Sequence, residues 1–161
     1  HGGFPAQSDF GGRLEEGSQI WVQGESSDSQ KRRDEIIQKI KHKKITIEGA
    51  VLIGRHCQIE DGAKIVDSCI DNFTRIGRNA VVINSSVLDR VIIGDHAEVY
   101  DSIIGRHVAV NSSAHCPTKV TAVSVIADDV KLEEGCSLSA SKIYPHQYVR
   151  GQFQNQTIIA N

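Results

Sequence analysis

The sequence predicts an all-β solenoid, a chain wound around a triangular cross-section with three short parallel strands per turn. Ile59, Ile76, Ile93 and Val110 are each seventeen residues apart, as are Asp67-Ser68-Cys69-Ile70, Asn84-Ser85-Ser86-Val87 and Asp101-Ser102-Ile103-Ile104. Within a period the aliphatics step by six, five and six residues, through Ile59, Ile65, Ile70, Ile76, Val82, Val87, Ile93, Val99 and Ile104. A helix would repeat its apolar face near every 3.6 residues and a strand every two, so neither explains that step. Composition agrees: 39% of the 161 residues are hydrophobic and only 5% aromatic. Stacked turns can fill a narrow column with Ile, Val, Leu, Ala and Cys without large side chains.

The elements follow in order. Residues 1–19 are rich in Gly, Ser, Gln and charge without periodicity, and read as a flexible tail or a remnant of something larger. Residues 20–44 read as a short strand plus a capping helix. Gln19-Ile20-Trp21-Val22 is an apolar run with the single Trp and needs a partner surface. Ser27 with Gln30 matches a capping box, and Lys31 to Lys41 reads as a helix with Ile36, Ile37 and Ile40 as its apolar stripe. Lys39, Lys41, His42, Lys43 and Lys44 crowd its C-terminal end, where cations complement the dipole. One face of this helix is expected to cover the first coil, because an open solenoid end exposes apolar side chains.

Residues 45–161 are assigned to the coil. Ile47, Ile53, Ile59 and Ile65 point inward, and a second inward position four residues later holds Val51, Cys57, Ala63, Ala80, Ala97, Val108, Val130 and Cys136. Ile53-Gly54, Ile76-Gly77, Ile93-Gly94 and Ile104-Gly105 mark turns. The register falters over 111–124, which is polar and holds Pro117, so a loop is expected there. It resumes at Ile126, Leu132, Leu138 and Ile143, after which Pro145 and a polar tail read as a C-terminal strap. About five to six turns follow, roughly 25 Å tall at about 4.8 Å per layer.

Eighteen basic and twenty acidic residues leave a formal charge of -2, which supplies no generalised attraction to nucleic acid or anionic membrane. No stretch approaches the eighteen apolar residues of a membrane span. Cys57, Cys69, Cys116 and Cys136 lack the C-x-x-C spacing of a structural zinc site, so no metal is expected. Cys57 and Cys136 fall at inward positions, and buried free thiols fit a cytoplasmic protein. Asn72, Asp89 and Arg106 are seventeen apart, as are Asn84, Asp101 and Thr118, and such ladders are expected to tie turns together, Asp89 pairing with Arg106. His56, His96 and His107 follow Gly by two residues and read as surface turn positions, as does His146 after Pro145.

The strings Ile53-Gly54-Arg55-His56-Cys57-Gln58-Ile59, Ile76-Gly77-Arg78-Asn79-Ala80-Val81-Val82 and Ile93-Gly94-Asp95-His96-Ala97-Glu98-Val99 resemble those of hexapeptide-repeat proteins. The resemblance covers roughly residues 45 to 143 and implies a single-stranded left-handed parallel β-helix. Handedness comes from the resemblance alone, since general crossover rules favour the right hand. Ser86-Val87-Leu88-Asp89-Arg90-Val91-Ile92-Ile93-Gly94 and Asp101-Ser102-Ile103-Ile104-Gly105 look most like the C-terminal domain of sugar-phosphate nucleotidyltransferases, the NDP-sugar pyrophosphorylases. That implies a domain for oligomerisation or regulation, with nucleotidyl transfer and its magnesium in an N-terminal catalytic domain. It also implies contact with sugar phosphate or nucleotide through the parent protein, and no cofactor in this fragment. Gly11-Gly12-Arg13-Leu14 lacks the apolar strand that precedes a nucleotide loop.

Two alternatives remain open. A CoA-dependent acyltransferase acting on a sugar or sugar nucleotide, with acetyl-CoA as donor, shares the fold and uses a His as general base at a protruding loop. His115 fits that role by its place in the excursion and by the chemistry of neutral imidazole. Asn111, Ser112 and Ser113 would orient substrate, and Lys119 would meet a phosphate. The other alternative is a scaffold or binding module without chemistry. Under the leading reading, a flat face bearing Val, Ile and Tyr100 would make a homo-oligomer, dimer or trimer.

Overall fold

A computed structural model describes residues 19–160; the expectations for residues 1–18 lie outside them. The chain winds into a three-sided column whose faces are parallel sheets of eight, seven and six strands, here faces A, B and C. Face A holds β1 (Gln19–Val22), β3 (Ala50–Ile53), β6 (Cys69–Ile70), β9 (Ser86–Val87), β12 (Ile103–Ile104), β15 (Val125–Ile126), β18 (Lys142–Ile143) and β21 (Thr157–Ile158). Face B holds β2 (Thr46–Glu48), β5 (Lys64–Val66), β8 (Val81–Ile83), β11 (Glu98–Tyr100), β14 (Lys119–Thr121), β17 (Ser137–Ser139) and β20 (Gln152–Gln154). Face C holds β4 (Gln58–Ile59), β7 (Arg75–Ile76), β10 (Ile92–Ile93), β13 (Ala109–Val110), β16 (Lys131–Leu132) and β19 (Tyr148–Val149). Ile59 pairs with Ile76, Ile76 with Ile93 and Ile93 with Val110, all in register and almost wholly buried. The seventeen-residue repeat is thus one circuit of the column.

Face C lacks a strand in the first circuit, and α1 (Gln30–Lys41) stands in its place between β1 and β2. Ile36 and Ile37 are buried and Ile40 packs against the core. The Lys39 ammonium donates to the Ile59 carbonyl at 2.8 Å and lies 3.2 Å from Asp61, while Arg33 Nε donates to the Val22 carbonyl at 3.1 Å. Lys39 therefore occupies a β4 carbonyl that the missing strand of face C would have met, and Arg33 a carbonyl of β1, the end strand of face A. The expected capping box does not form. Ser29 is the N-cap and makes no side-chain cap bond; instead the Ser26 carbonyl accepts the N–H groups of Ser29 and Gln30. The helix ends as a Schellman motif: Lys43, at φ 56°, donates to Ile40 and Lys44 donates to Lys39.

Two sequence expectations change. The loop over 111–124 is shorter than read, because Lys119–Thr121 is the strand β14 and Val120 is buried. Val110 to Val120 spans ten residues where the circuits on either side use six, and Val120 to Ile126 spans six where those circuits use five. The inserted residues bulge outward and the register continues. The expected strap is a further circuit: Leu132 pairs with Val149, Leu138 with Phe153 and Ile143 with Ile158. Val149 to Phe153 is four residues rather than six, cut short through Gly151 at φ 100°. That shortened corner hid the turn, so the column has about seven circuits rather than five to six.

Candidate functional site

The excursion expected to carry chemistry leaves the corner between β13 and β14. Ser113 Oγ donates to Glu134 at 3.1 Å and accepts the Cys116 N–H at 3.2 Å. Ser112 Oγ accepts the Thr118 N–H at 2.9 Å, and Thr118 Oγ1 donates to the Asn111 carbonyl at 2.6 Å. These bonds close the bulge on itself and fasten it to the next circuit. His115 is exposed at its tip, as are Asn111 and Cys116. Lys119 points out of face B and pairs with Glu98 at 3.5 Å. The structure thus puts Asn111, Ser112, Ser113 and His115 on one bulge. It engages Lys119 with a carboxylate of the preceding strand.

Thr118 belongs to a different column from the one its spacing suggested. It is buried where other circuits place Ala97 and Cys136, and its Oγ1 accepts the Gly135 N–H at 3.0 Å. Asn84 and Asp101 do stack, Asn84 Nδ2 donating to Asp101 at 2.7 Å. Asp89 and Arg106 do not pair as expected. Asp89 accepts the Asn72 N–H at 3.1 Å, and the Arg106 N–H donates to Asp128 at 2.8 Å.

The histidines occupy corners. His56, Phe73, Arg90, His107, Asp129 and His146 follow one another at the corner between faces A and C, all with φ between 58° and 66°. The His56 and Phe73 rings stack at 4.8 Å, and the Arg90 guanidinium lies 4.4 Å over Phe73. His96 stands at another corner, its Nε2 3.5 Å from Asn79 Nδ2. Asp71 sits beside Asp89, and its carboxyl is pushed above the ordinary range, first by burial and then by that neighbour. Among the described residues no group of three or more His, Cys, Asp or Glu is arranged to hold a metal ion.

All four cysteines are free. Burial pushes the Cys57 thiol up to about 12 and the Cys136 thiol up to about 11, so neither is a nucleophile at neutral pH. Cys116 is exposed.

The polar feature that sequence reading missed is a column of buried serines at the corner between faces B and A. Ser68, Ser85, Ser102, Ser124 and Ser141 are each at most 5% exposed. Each hydroxyl donates to a carbonyl of its own circuit and accepts the N–H of the serine in the next. Ser141 Oγ hands the chain on to the Gln156 N–H. The signal was present as the Ser shared by Asp67-Ser68, Asn84-Ser85 and Asp101-Ser102. It was masked because Ser beside Asp or Asn also reads as a solvated turn.

Open grooves run along α1, over the first circuits of face A, and on the last circuits of face A beside Val125, Ala127, Lys142, Tyr144 and Pro145. None of these three is lined by His115. Among the described residues no helix is long and apolar enough to cross a membrane.

The family model described as the GMPPB C-terminal domain matches residues 47–159, from β2 through the last circuit. A search among curated proteins returns no match.

Proposed function

The chain belongs to the GMPPB C-terminal domain family, and from that premise we propose that its work is to assemble or regulate the subunits of a nucleotidyltransferase. It is a left-handed hexapeptide-repeat β-helix, a C-terminal domain of the nucleotidyltransferase family. Nucleotidyl transfer, with its magnesium, sugar phosphate and nucleotide, is then the business of another domain of the same polypeptide. The observation that carries this reading is how the polar and apolar side chains divide. The serine, Asn and Asp side chains at the corners are spent on bonds between circuits. Large apolar side chains, by contrast, stand exposed on the outer faces, among them Ile92, Ile103, Tyr144 and Tyr148. A rigid column with apolar outer patches suits packing against another protein surface. Val66, Ile83 and the half-buried Tyr100 on face B contribute to the same character. Four free thiols support a cytoplasmic setting.

Sedimentation velocity over a concentration series tests the reading. A dimer or trimer in exchange with monomer is expected, and a monomer at every concentration would remove self-association from it. A second reading, acyl transfer from acetyl-CoA to a sugar, rests on the exposed His115 at the tip of the bulge. It requires acetyl-CoA binding and turnover that His115→Ala abolishes; no binding at all sinks it.

A further inference from the structure

We propose that the last circuits of face A form a two-fold contact with a second copy of this chain, the two columns running antiparallel. This rests on the assembly reading and names its surface. Of the large apolar side chains that stand exposed, Ile103, Val123, Tyr144 and Ile159 all belong to this end of face A or its rims. Tyr144 lines a groove of about 270 Å³ there, with Val125, Ala127, Lys142, Ile143 and Pro145.

The register decides how a second copy fits. Outward positions on this face run Ser86, Ile103, Val125, Lys142, Thr157 through successive strands. The rim toward face C runs Leu88, Gly105, Ala127, Tyr144, Ile159, joined in the same register by backbone bonds. Across a two-fold axis through the β15 layer and along its strand, Val125 meets Val125 and Ala127 meets Ala127. The exposed Tyr144 ring then faces the Asp128 carboxylate, which lies over the buried Gly105 of the other copy, and Leu88 meets Ile159. At the opposite rim Val123 meets Val123.

Charge fits the same arrangement. Lys142 is exposed in the strand column and Asp101 sits at the rim beside Ile103. The two-fold brings Lys142 of each copy over Ile103 of the other, next to Asp101, giving two equivalent ion pairs at the edge of the apolar patch. A parallel arrangement would instead oppose Lys142 to Lys142. Antiparallel packing is therefore the one that the charges favour.

Five layers and about five residues of strand give a contact of roughly 24 by 16 Å, on the order of 400 Å² per protomer before side-chain relief. Standard interfaces bury about 800 Å² per partner. The contact is thus at the small end, and the dimer should be concentration-dependent rather than permanent.

The test uses native mass by sedimentation with three variants whose sites face outward. Lys142→Asp should weaken the dimer about tenfold, and adding Asp101→Lys should restore it. Val125→Cys, at the two-fold, should give a disulfide-linked dimer under mild oxidation. A wild-type chain that stays monomeric overturns both this contact and self-association. A wild-type oligomer that Lys142→Asp leaves intact, with no cross-link through Val125→Cys, overturns this contact alone and leaves assembly through another face.

Discussion

At the residue scale the serine column shows how a narrow solenoid satisfies its corners. A buried backbone N–H without a partner costs about 1–3 kcal/mol, and every circuit presents one where face B turns into face A. A hydroxyl at that corner both donates to its own circuit and accepts from the next. Ser85→Ala would orphan the Ser102 N–H, while the Ile83 carbonyl would keep the Asp101 N–H at 3.0 Å. A loss of about 1–3 kcal/mol in urea unfolding is expected, and a neutral result would mean that water enters this corner. Cys57 makes the same kind of contact, its thiol donating to the Asp71 carbonyl at 3.0 Å. Its raised pKa has a definite sign. The fold favours the neutral thiol, so the contribution is complete below the unfolded value near 9 and is lost as pH rises toward about 12. Equivalent positions in later circuits hold Val91 and Val108. Cys57→Val should therefore flatten the alkaline limb of the stability–pH curve, and an unchanged limb would assign it elsewhere.

At the element scale, legibility followed regularity. The strands around Ile59, Ile76 and Ile93 were readable because each corner used the same number of residues. The last circuit was not, because Gly151 shortens its corner and Phe153 takes an aliphatic's place. The bulge was legible as an interruption but not in extent, since Val120 alone marks the strand that re-enters the column. The capping box failed for another reason. Ser27 and Gln30 have the spacing, but the entry turn is built from Ser26 and buried Ser29, a matter of packing that no spacing records. The candidate residues Asn111, Ser113 and His115 were legible as neighbours on one bulge; that Lys119 would be held by Glu98 depended on which strand lies beside β14. The helix itself has a testable job. If α1 replaces the missing strand of face C, Ile36→Ala should cost about 2–5 kcal/mol and speed amide exchange first in β4, the strand it covers. Exchange spread evenly along the column would mean that the helix is an appendage.

At the scale of the whole molecule, the column is closed at its first circuit by α1 and filled along its axis, so its open chemistry lies on its outer faces. Those faces differ. Face C mixes the exposed Ile92 and Tyr148 with Arg75, Lys131 and Glu133, and face B mixes Val66, Ile83 and Tyr100 with Lys64, Glu98 and Lys119. The end of face A gathers the exposed Ile103, Val123, Tyr144 and Ile159, with Lys142 and Asp101 placed for a two-fold. Small-angle X-ray scattering across a concentration series measures the consequence directly. Side-by-side antiparallel packing predicts a thicker particle at high concentration, longer than the monomer by only about three layers, roughly 14 Å. A profile that never changes, or one that doubles in length at constant thickness, would contradict it.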